Sequence, residues 1–178
     1  MSLKKCLLFH GFEESEIDAL LQLYFNRAVF AAKEPLLIKG SSNTDTLFII
    51  GSGEAEAKTS HSRIVVFKPG DIIGEMGFFT AKPRTVKVLA RNTVQAWVLT
   101  RELAARLEQE NPAVMMTLLR NTIRILADRI AADNAKDAEL SRELQQLQKA
   151  MMSQQKTADP KQTSIFASMW RRLNRPFP

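Results

Sequence analysis

The chain has 178 residues, of which 45% are hydrophobic and 25% charged, and its formal net charge is +6. These values are ordinary for a folded globular domain and exclude a chain that is disordered throughout. No apolar run approaches the ~20 residues that a membrane-spanning helix needs, and residues 1–12 lack the apolar centre of a signal peptide. Residues 135–178 hold eight Lys and Arg against four Asp and Glu, so the nearly neutral remainder excludes a basic nucleic-acid-binding face.

Residue types that support catalysis or metal binding are few. Cys6 is the single cysteine, which excludes an internal disulfide and a cysteine-rich zinc site and favours a cytoplasmic location. The two histidines, His10 and His61, are too far apart in the sequence for a convincing metal site. The sequence shows no recognisable nucleophile–base pair. We therefore expect no enzymatic activity, no catalytic residue, no metal and no resident cofactor.

The first predicted element is a helix that begins near Ser15, followed by apolar residues at helical spacing: Ile17, Leu20, Leu21 and Tyr24. From residue 27 to residue 100 the pattern changes to short apolar or alternating runs, which Gly, Pro, Asn and Ser residues separate. The runs are residues 28–31, 36–38, 47–50, 64–67, 86–90 and 94–99. This spacing predicts a mainly β fold, an antiparallel β-roll or jelly-roll barrel with flanking helices.

Helical sequence follows Thr100, a candidate N-cap for residues 101–110, and Asn111-Pro112 begins a second helix. Along this second helix a heptad pattern alternates spacings of three and four, which is typical of a coiled-coil seam. The seam positions are Met116, Leu119, Ile123, Leu126, Ile130, Asp133, Asp137, Leu140, Leu144, Leu147 and Met151. We expect the two aspartates to break or open the seam. A second apolar face predicts that the first half of this helix also packs on the barrel; it comprises Val114, Leu118 and Ile125.

These elements predict a domain over residues 1–132, a helical coiled-coil extension over 133–151 and a flexible basic tail over 152–178. Self-association through residues 140–151 predicts a homodimer. The end of the tail alternates apolar and cationic residues and is compatible with a short amphipathic helix on a membrane or partner. We favour a frayed terminus over membrane contact.

Residues 67–85, which we call the cassette, carry the most chemical information. Gly74 and Gly77 allow backbone N–H groups to approach a ligand closely, and a short helical turn from Glu75 directs free amides at an anion. Arg84 can pair with phosphate oxygens, and Glu75 can accept from a sugar hydroxyl. Taken alone, the pattern also fits a glycine-rich barrel corner.

Residues 12–132 resemble the cyclic nucleotide-binding domain family, the module shared by cyclic-AMP receptor proteins, kinase regulatory subunits and gated channels. The resemblance includes the leading helix, the strand and turn at 47–53, the Pro69-Gly70-Asp71 turn and two closing helices. Its most specific part is Gly74-Glu75-Met76-Gly77 followed by Pro83-Arg84-Thr85 at the family's usual spacing. We identify the chain by this similarity as a member of the family.

The resemblance implies a role for each residue of that pattern. Glu75 binds the ribose 2′-hydroxyl, whereas Arg84 and the amides around Met76 and Gly77 bind the cyclic phosphate. Thr85 lies beside the base and phosphate, and Ile73 and Val65 contribute to an apolar wall. The candidate ligand-binding set, with one further residue from the closing helix, is Val65, Ile73, Gly74, Glu75, Met76, Gly77, Arg84, Thr85 and Arg129.

The chain departs from the family pattern at several positions. Lys33 stands where a glycine is common, and Val86 is bulkier than the small residue that usually follows Arg-Thr. In the closing helix, where the family places residues that face the nucleotide base, the Thr-Ser pair of bacterial cyclic-AMP activators is missing. Arg129 lies in this region and either stacks on a purine or is an ordinary surface arginine. Thr85 is compatible with both cAMP and cGMP, so the base stays open.

The resulting hypothesis is a cyclic nucleotide sensor that signals through its C-terminal helices to a downstream protein that the sequence does not identify. A degenerate module that no longer binds nucleotide and serves as a dimerisation scaffold is the alternative. Activators of this family carry a helix-turn-helix after the closing helix. Residues 135–178 show no recognition-helix pattern, so we expect no DNA-binding domain in this sequence.

Overall fold

The computed structural model describes residue 3 and residues 6–58 and 64–157, with side chains through residue 149. The chain forms two compact units, Met1–Ala127 and Asp128–Pro178. The predicted boundaries at 132 and 151 stay predictions. Most of the predicted basic tail, residues 158–178, lies outside the described residues.

Within the described residues the β fold consists of eight antiparallel strands in two sheets. The strands are β1 (Asn26–Phe30), β2 (Pro35–Leu37), β3 (Thr46–Ser52), β4 (Ala55–Lys58), β5 (Ile64–Phe67), β6 (Ile72–Ile73), β7 (Val88–Ala90) and β8 (Val94–Thr100). The first sheet has the order β1-β8-β3-β6 and the second β2-β7-β4-β5. This is the predicted jelly-roll architecture with flanking helices. The sequence pattern missed β4, whose alternation of alanines with charged residues is weakly apolar, and the two-residue strand β6.

The central strand β3 shows how the two sheets and the helices share the hydrophobic core. Side chains alternate between the faces of a strand. Leu47 and Ile49 therefore join a cluster formed with the helices, whereas Phe48 and Ile50 join a second cluster between the sheets. Because both faces of the first sheet are covered, residues 47–50 are apolar without interruption.

The helices flanking the sheets are α1 (Glu14–Tyr24), α2 (Glu75–Thr80), α3 (Arg101–Glu110) and α4 (Pro112–Thr157), and a 3-10 turn covers Leu7–Phe9. The α3 prediction is confirmed, because the Thr100 hydroxyl caps the helix by accepting from the Leu103 N–H at 3.2 Å. The N-cap of α1 is Glu13 and not Ser15 as predicted. The cause is the Glu16 carboxylate, which accepts from the Glu13 N–H at 2.8 Å.

Helix α4 is continuous through Asp133 and Asp137, both of which are exposed, and the predicted opening of the coiled-coil seam at these residues stays a prediction. The helix extends to Thr157, past residue 151, where the sequence predicted the end of the helical extension. The predicted packing of the second apolar face is confirmed, because Leu118 and Ile125 lie in the core and Val114 packs against it.

The seam positions of α4 are mostly exposed. In the first unit Met116 and Ile123 are 56% and 66% exposed, and in the second unit Ile130, Leu140, Leu144 and Leu147 are exposed as well. The structure describes one chain, so the coiled coil stays a prediction.

Candidate functional site

The cassette contains strand β6 and, after Gly74, the short helix α2. Gly74 connects the two with a φ of +88° and is the N-cap of the helix. A left-handed backbone conformation of this kind favours glycine, because a Cβ would clash with the backbone. The predicted helical turn from Glu75 is confirmed, and the Phe78 N–H donates to the carbonyl oxygen of the N-cap residue Gly74 at 3.0 Å.

Arg84, near the end of the cassette, donates hydrogen bonds to three other residues. Its side chain is 4% exposed although it carries a charge. Its Nε donates to the carbonyl oxygen of Asn43 at 3.0 Å and its Nη1 donates to that of Gly74 at 2.6 Å. Its Nη2 donates to the carbonyl oxygen of Thr46 at 2.7 Å and to the Thr46 hydroxyl at 3.2 Å. The guanidinium thus ties the start of α2 to the chain that leads into β3.

The two glycines of the cassette leave the volume that the guanidinium fills. A Cβ on Gly74 would lie 2.8 Å from Nη1 of Arg84, and one on Gly77 would lie 3.1 Å from the same atom. These separations are shorter than van der Waals contact between carbon and nitrogen. Glycine is therefore favoured at Gly74 by both its φ and its neighbour, whereas a side chain at Gly77 would require the guanidinium to shift by a few tenths of an ångström.

Both acidic and basic side chains act electrostatically on Arg84. Burial lowers the pKa of Arg84, while the carboxylates of Asp45 and Glu75 raise it and Arg101 lowers it. An arginine keeps its proton in proteins, so the site holds a buried cation. Glu75 is itself buried, at the first position of α2. A buried cation beside the N-terminal turn of a helix is electrostatically suited to an anion.

Comparison with known proteins agrees with this architecture. The family model described as the cyclic nucleotide-binding domain matches residues 27–111. This match confirms, for residues 27–111, the resemblance to the family that the sequence motifs indicated. Such domains are regulatory modules, and the expectation that the chain has no enzymatic activity stays a prediction.

Solved structures share the fold. A crystal structure of the catabolite activator protein of Thermus thermophilus is 24% identical, with a TM-score of 0.63 over 76% of this chain and 63% of that one. A cyclic nucleotide-binding domain from Methylobacillus flagellatus KT is 25% identical, with a TM-score of 0.63 over 72% and 74% of the two chains. PKAR CBD2 with Sp-2Cl-cAMPS bound is 21% identical, with a TM-score of 0.53 over 71% and 85%. No curated protein matches the sequence significantly.

The domain brings only part of the predicted set together around Arg84. Gly74 accepts a hydrogen bond from its guanidinium, a Cβ on Gly77 would lie 3.1 Å from it, and the Glu75 carboxylate raises its pKa. The side chain of Met76, which was expected to contribute its amide, is exposed. Thr85, the next residue along the chain, is exposed too.

The apolar candidates lie elsewhere in the domain. Ile73 is buried in the cluster between the sheets, and Val86 is half-buried against the same cluster. Val65 is half-buried on β5. Arg129 is half-exposed on α4 in the second unit, and its predicted role at the base stays a prediction.

Sequence reasoning missed the residues that hold Arg84. Asn43 and Thr46 contribute mainly backbone carbonyl oxygens, which every residue possesses, so their side-chain types carry no signal. Residues 40–43 have the composition of a turn, which predicted a loop but did not indicate that this loop binds Arg84.

The described part of the chain offers neither a membrane-spanning helix nor a metal-binding cluster. Residues 6–58 and 64–157 contain no helix that is both long and apolar enough to cross a membrane. In the same described ranges no group of three or more His, Cys, Asp and Glu side chains is arranged to hold a metal ion.

Proposed function

We propose that the domain binds a cyclic purine nucleotide, cAMP or cGMP, with its cyclic phosphate at the cassette. The observation that carries the proposal is the buried Arg84 guanidinium, held between Gly74 and Gly77 beside the first turn of α2. A cyclic phosphate carries one negative charge and accepts hydrogen bonds. It complements both the cation and the N-terminal amides of the helix.

Two further observations support this ligand class. Glu75 is placed at the start of α2, where a carboxylate can accept from a ribose hydroxyl next to the phosphate. The fold is shared with PKAR CBD2, which has Sp-2Cl-cAMPS bound, and with PfPKA-R, which has cAMP bound. The choice between adenine and guanine stays open.

A second candidate function is a scaffold that binds no nucleotide. The observation that favours it is the bonding of Arg84, whose donors already serve the carbonyl oxygens of Asn43, Gly74 and Thr46. These bonds and the one to the Thr46 hydroxyl engage at most four of the five N–H groups of the guanidinium, so a phosphate either takes the remaining Nη1 donor or exchanges one of these hydrogen bonds for a bond to itself. An exchange between two satisfied states costs little if the carbonyl oxygen released can reach water.

Titration calorimetry separates the two functions. The sensor predicts saturable binding of cAMP or cGMP and much weaker binding of 5′-AMP, which carries the same base and sugar but an open, doubly charged phosphate. Arg84→Lys keeps the charge but loses the planar fork, and we expect ~10-fold weaker binding or more. Arg91→Gln is the matched control, because Arg91 pairs with Glu54 at 2.9 Å on the surface. Absence of binding by both cyclic nucleotides favours the scaffold.

The role of Glu75 is tested with the 2′-deoxy cyclic nucleotide. In the native protein this ligand binds more weakly than its ribose counterpart, because the acceptor loses its donor. In Glu75→Gln the deoxy change has little further effect. Equal discrimination in both proteins means that Glu75 has a different role, such as bracing the cassette.

The proposed output uses helix α4 as a self-association surface. The exposed seam residues Leu140, Leu144 and Leu147 repeat at spacings of four and three, and burying them against a second copy removes apolar surface from water. We propose a cytoplasmic homodimer whose helices respond to nucleotide and act on a further protein. The single, buried Cys6 suits a reducing compartment.

A further inference from the structure

Thr44 is a buried polar residue whose hydrogen-bonding groups are not used within the fold. It lies in the loop between β2 and β3 and is 4% exposed. No hydrogen bond joins Thr44, through its hydroxyl or its backbone N–H, to any residue of the described ranges 6–58 and 64–157. A buried hydroxyl without a partner carries a desolvation penalty, so its presence calls for a physical reason.

The other buried polar side chains of the described residues all have partners. Arg84 donates to three carbonyl oxygens, and the Asn121 amide donates to two near the N-terminus. The Thr122 hydroxyl donates to the carbonyl oxygen four residues earlier at 2.9 Å. Glu75 acts electrostatically on Arg84. Within the described part of the chain, Thr44 is therefore the exception to a rule that the rest of the buried polar groups obey.

The position of Thr44 is next to the Arg84 guanidinium. Asn43, the residue before it, accepts from Nε of Arg84 at 3.0 Å through its carbonyl oxygen. Thr46, two residues after it, accepts from Nη2 at 2.7 Å in the same way. Because Thr44 follows Asn43 directly, standard backbone dimensions keep its Cα within about 6 Å of Nε. A phosphate bound by the guanidinium is within reach of a side chain at this distance.

The chemistry of Thr44 suits an anionic acceptor. Its hydroxyl and its N–H are two neutral donors beside the charged donors of Arg84, and phosphate oxygens accept from both kinds. Asp45, the acidic neighbour in the sequence, pairs with Nε of Arg101 at 3.1 Å, so a nearby cation compensates its charge. Thr44 and Arg84 are also buried to the same extent, each 4% exposed.

We propose that Thr44 is a further ligand-binding residue of the cassette site, and that its hydroxyl donates to an oxygen of the phosphate that Arg84 binds. The identity of the ligand rests on the proposed function. Most donors of Arg84 are already bonded within the protein, whereas the Thr44 hydroxyl forms its bond to the ligand without breaking one. The ligand supplies the partner that the fold does not.

Thr44→Val in the full chain tests the proposal, because valine has nearly the shape of threonine but no hydroxyl. Titration calorimetry with cAMP and cGMP should show about tenfold weaker binding of whichever nucleotide the native protein binds. The ligand-free variant should unfold at the same or a higher urea concentration, since a polar group without a partner has left the interior. Unchanged affinity in the folded variant overturns the proposal, also where stability falls because the hydroxyl serves the fold.

Thr122→Val is the matched control. Thr122 is as buried as Thr44, at 3% exposed, but its hydroxyl has a partner. This variant should lose stability and bind nucleotide within about twofold of the native protein. The two threonines thus give opposite patterns, because one hydroxyl is used by the fold and the other by the ligand.

A second pair of variants protects the test against loss of folding. If Thr44→Val does not fold, Thr44→Ser and Thr44→Ala differ from each other by the same hydroxyl and introduce no larger side chain. Thr44→Ser should bind the nucleotide within about threefold of the native protein, and Thr44→Ala about tenfold more weakly than Thr44→Ser. Equal affinities of these two variants overturn the proposal.

Inorganic phosphate separates failure of this inference from failure of the proposed function. If the native protein and Thr44→Val bind nucleotide equally well, the proposed function stands and the inference fails. If the native protein binds neither cAMP nor cGMP, the proposed function fails, and melting temperatures in increasing phosphate at constant ionic strength decide the role of Thr44. Phosphate should raise the melting temperature of the native protein more than that of Thr44→Val. Equal shifts, including no shift in either protein, overturn the inference.

Discussion

The backbone of Gly74 lies directly against the guanidinium of Arg84. The carbonyl oxygen of Gly74 accepts from Nη1 of Arg84 at 2.6 Å, and a Cβ on Gly74 would lie 2.8 Å from that same nitrogen. The guanidinium can occupy its buried position only because residue 74 lacks a side chain. The absence of a side chain at residue 74 therefore accommodates the Arg84 guanidinium as well as the positive φ of the turn.

Gly74→Ala is expected to destabilise the protein by about 3 kcal/mol or more, because it combines a positive φ with a steric overlap. Gly40→Ala is the matched control. Gly40 has a similar φ of +80° and nothing within 4 Å of its Cβ position, so its loss is about 1–2 kcal/mol. Urea unfolding of both variants measures the difference. Equal losses of stability in the two variants would show that the Arg84 guanidinium shifts away from the new methyl group without an energetic penalty.

Arg84→Ala is expected to lower the free energy of unfolding by about 2–4 kcal/mol even without ligand, because the part-buried hydrogen bonds to the carbonyl oxygens of Asn43, Gly74 and Thr46 are lost. Binding of the cyclic nucleotide should weaken by a further ~2–5 kcal/mol. Arg91→Ala, on an exposed ion pair, should change stability by less than about 1 kcal/mol. Denaturant unfolding and calorimetry separate the two losses. A fully stable Arg84→Ala protein would contradict the bracing role of Arg84.

Lys33→Gly is expected to stabilise the protein by about 0.5–1 kcal/mol. Lys33 has a φ of +70°, a conformation that costs a lysine ~1–2 kcal/mol, and glycine relieves most of that cost. Family members commonly have glycine at this position. Lys39→Gly is the control, because Lys39 is also exposed but is not among the residues with positive φ. Thermal unfolding should show opposite shifts, and a lower melting temperature for Lys33→Gly would contradict the prediction.

Burial of Cys6 predicts a loss of stability at alkaline pH. Burial raises the pKa of the Cys6 thiol from 9.0 to about 11. The unfolded chain therefore releases this proton first, and the stability contribution, present below pH 9, disappears as the pH rises through about 11.

The stability of the native protein should consequently fall between pH 9 and 11 by about 2 kcal/mol more than that of Cys6→Ala. Tyr24, whose pKa is raised by its hydrogen bond to Glu110, titrates in both proteins and cancels in the comparison. Urea unfolding as a function of pH measures the effect. Parallel curves would mean that the thiol ionises without unfolding.

Self-association is tested on the seam of α4. Leu144→Asp combined with Leu147→Asp should convert a dimer towards monomer, because buried carboxylates destabilise an apolar interface. Gln145→Asp with Gln148→Asp adds the same charge at the same spacing outside the seam and should leave the dimer intact. Light scattering at several concentrations measures the mass. A native protein that is monomeric at high micromolar concentration would exclude the homodimer.

Local sequence determined much of the domain. The cap at Thr100, the proline at residue 112 and the turn residues between apolar runs act within a few positions, so the helix starts and most of the strands follow from them. The cassette could be recognised for the same reason. Gly74, Glu75 and Gly77 lie within one helical turn, and their chemistry is visible without any distant partner.

The sequence predicted that the face of α4 with Leu118 and Ile125 packs inward, and the structure buries both while leaving Ile123 exposed. Only the tertiary structure decided how the polar Asn121, buried on the same helix, is accommodated. Its side chain donates to the carbonyl oxygens of Leu8 and His10, more than 100 residues earlier in the chain.

The same limit applies to the site. The sequence singled out Arg84, but its hydrogen bonds to Asn43 and Thr46 join positions 41 and 38 residues away. Those partners contribute backbone oxygens, so no side-chain pattern could reveal them. Arg101 likewise reads as an ordinary helix-start residue until the fold brings Asp45 and Phe78 to it. Local chemistry determined the ligand-binding candidates, whereas the contacts that connect them to α3 exist only because the chain returns on itself.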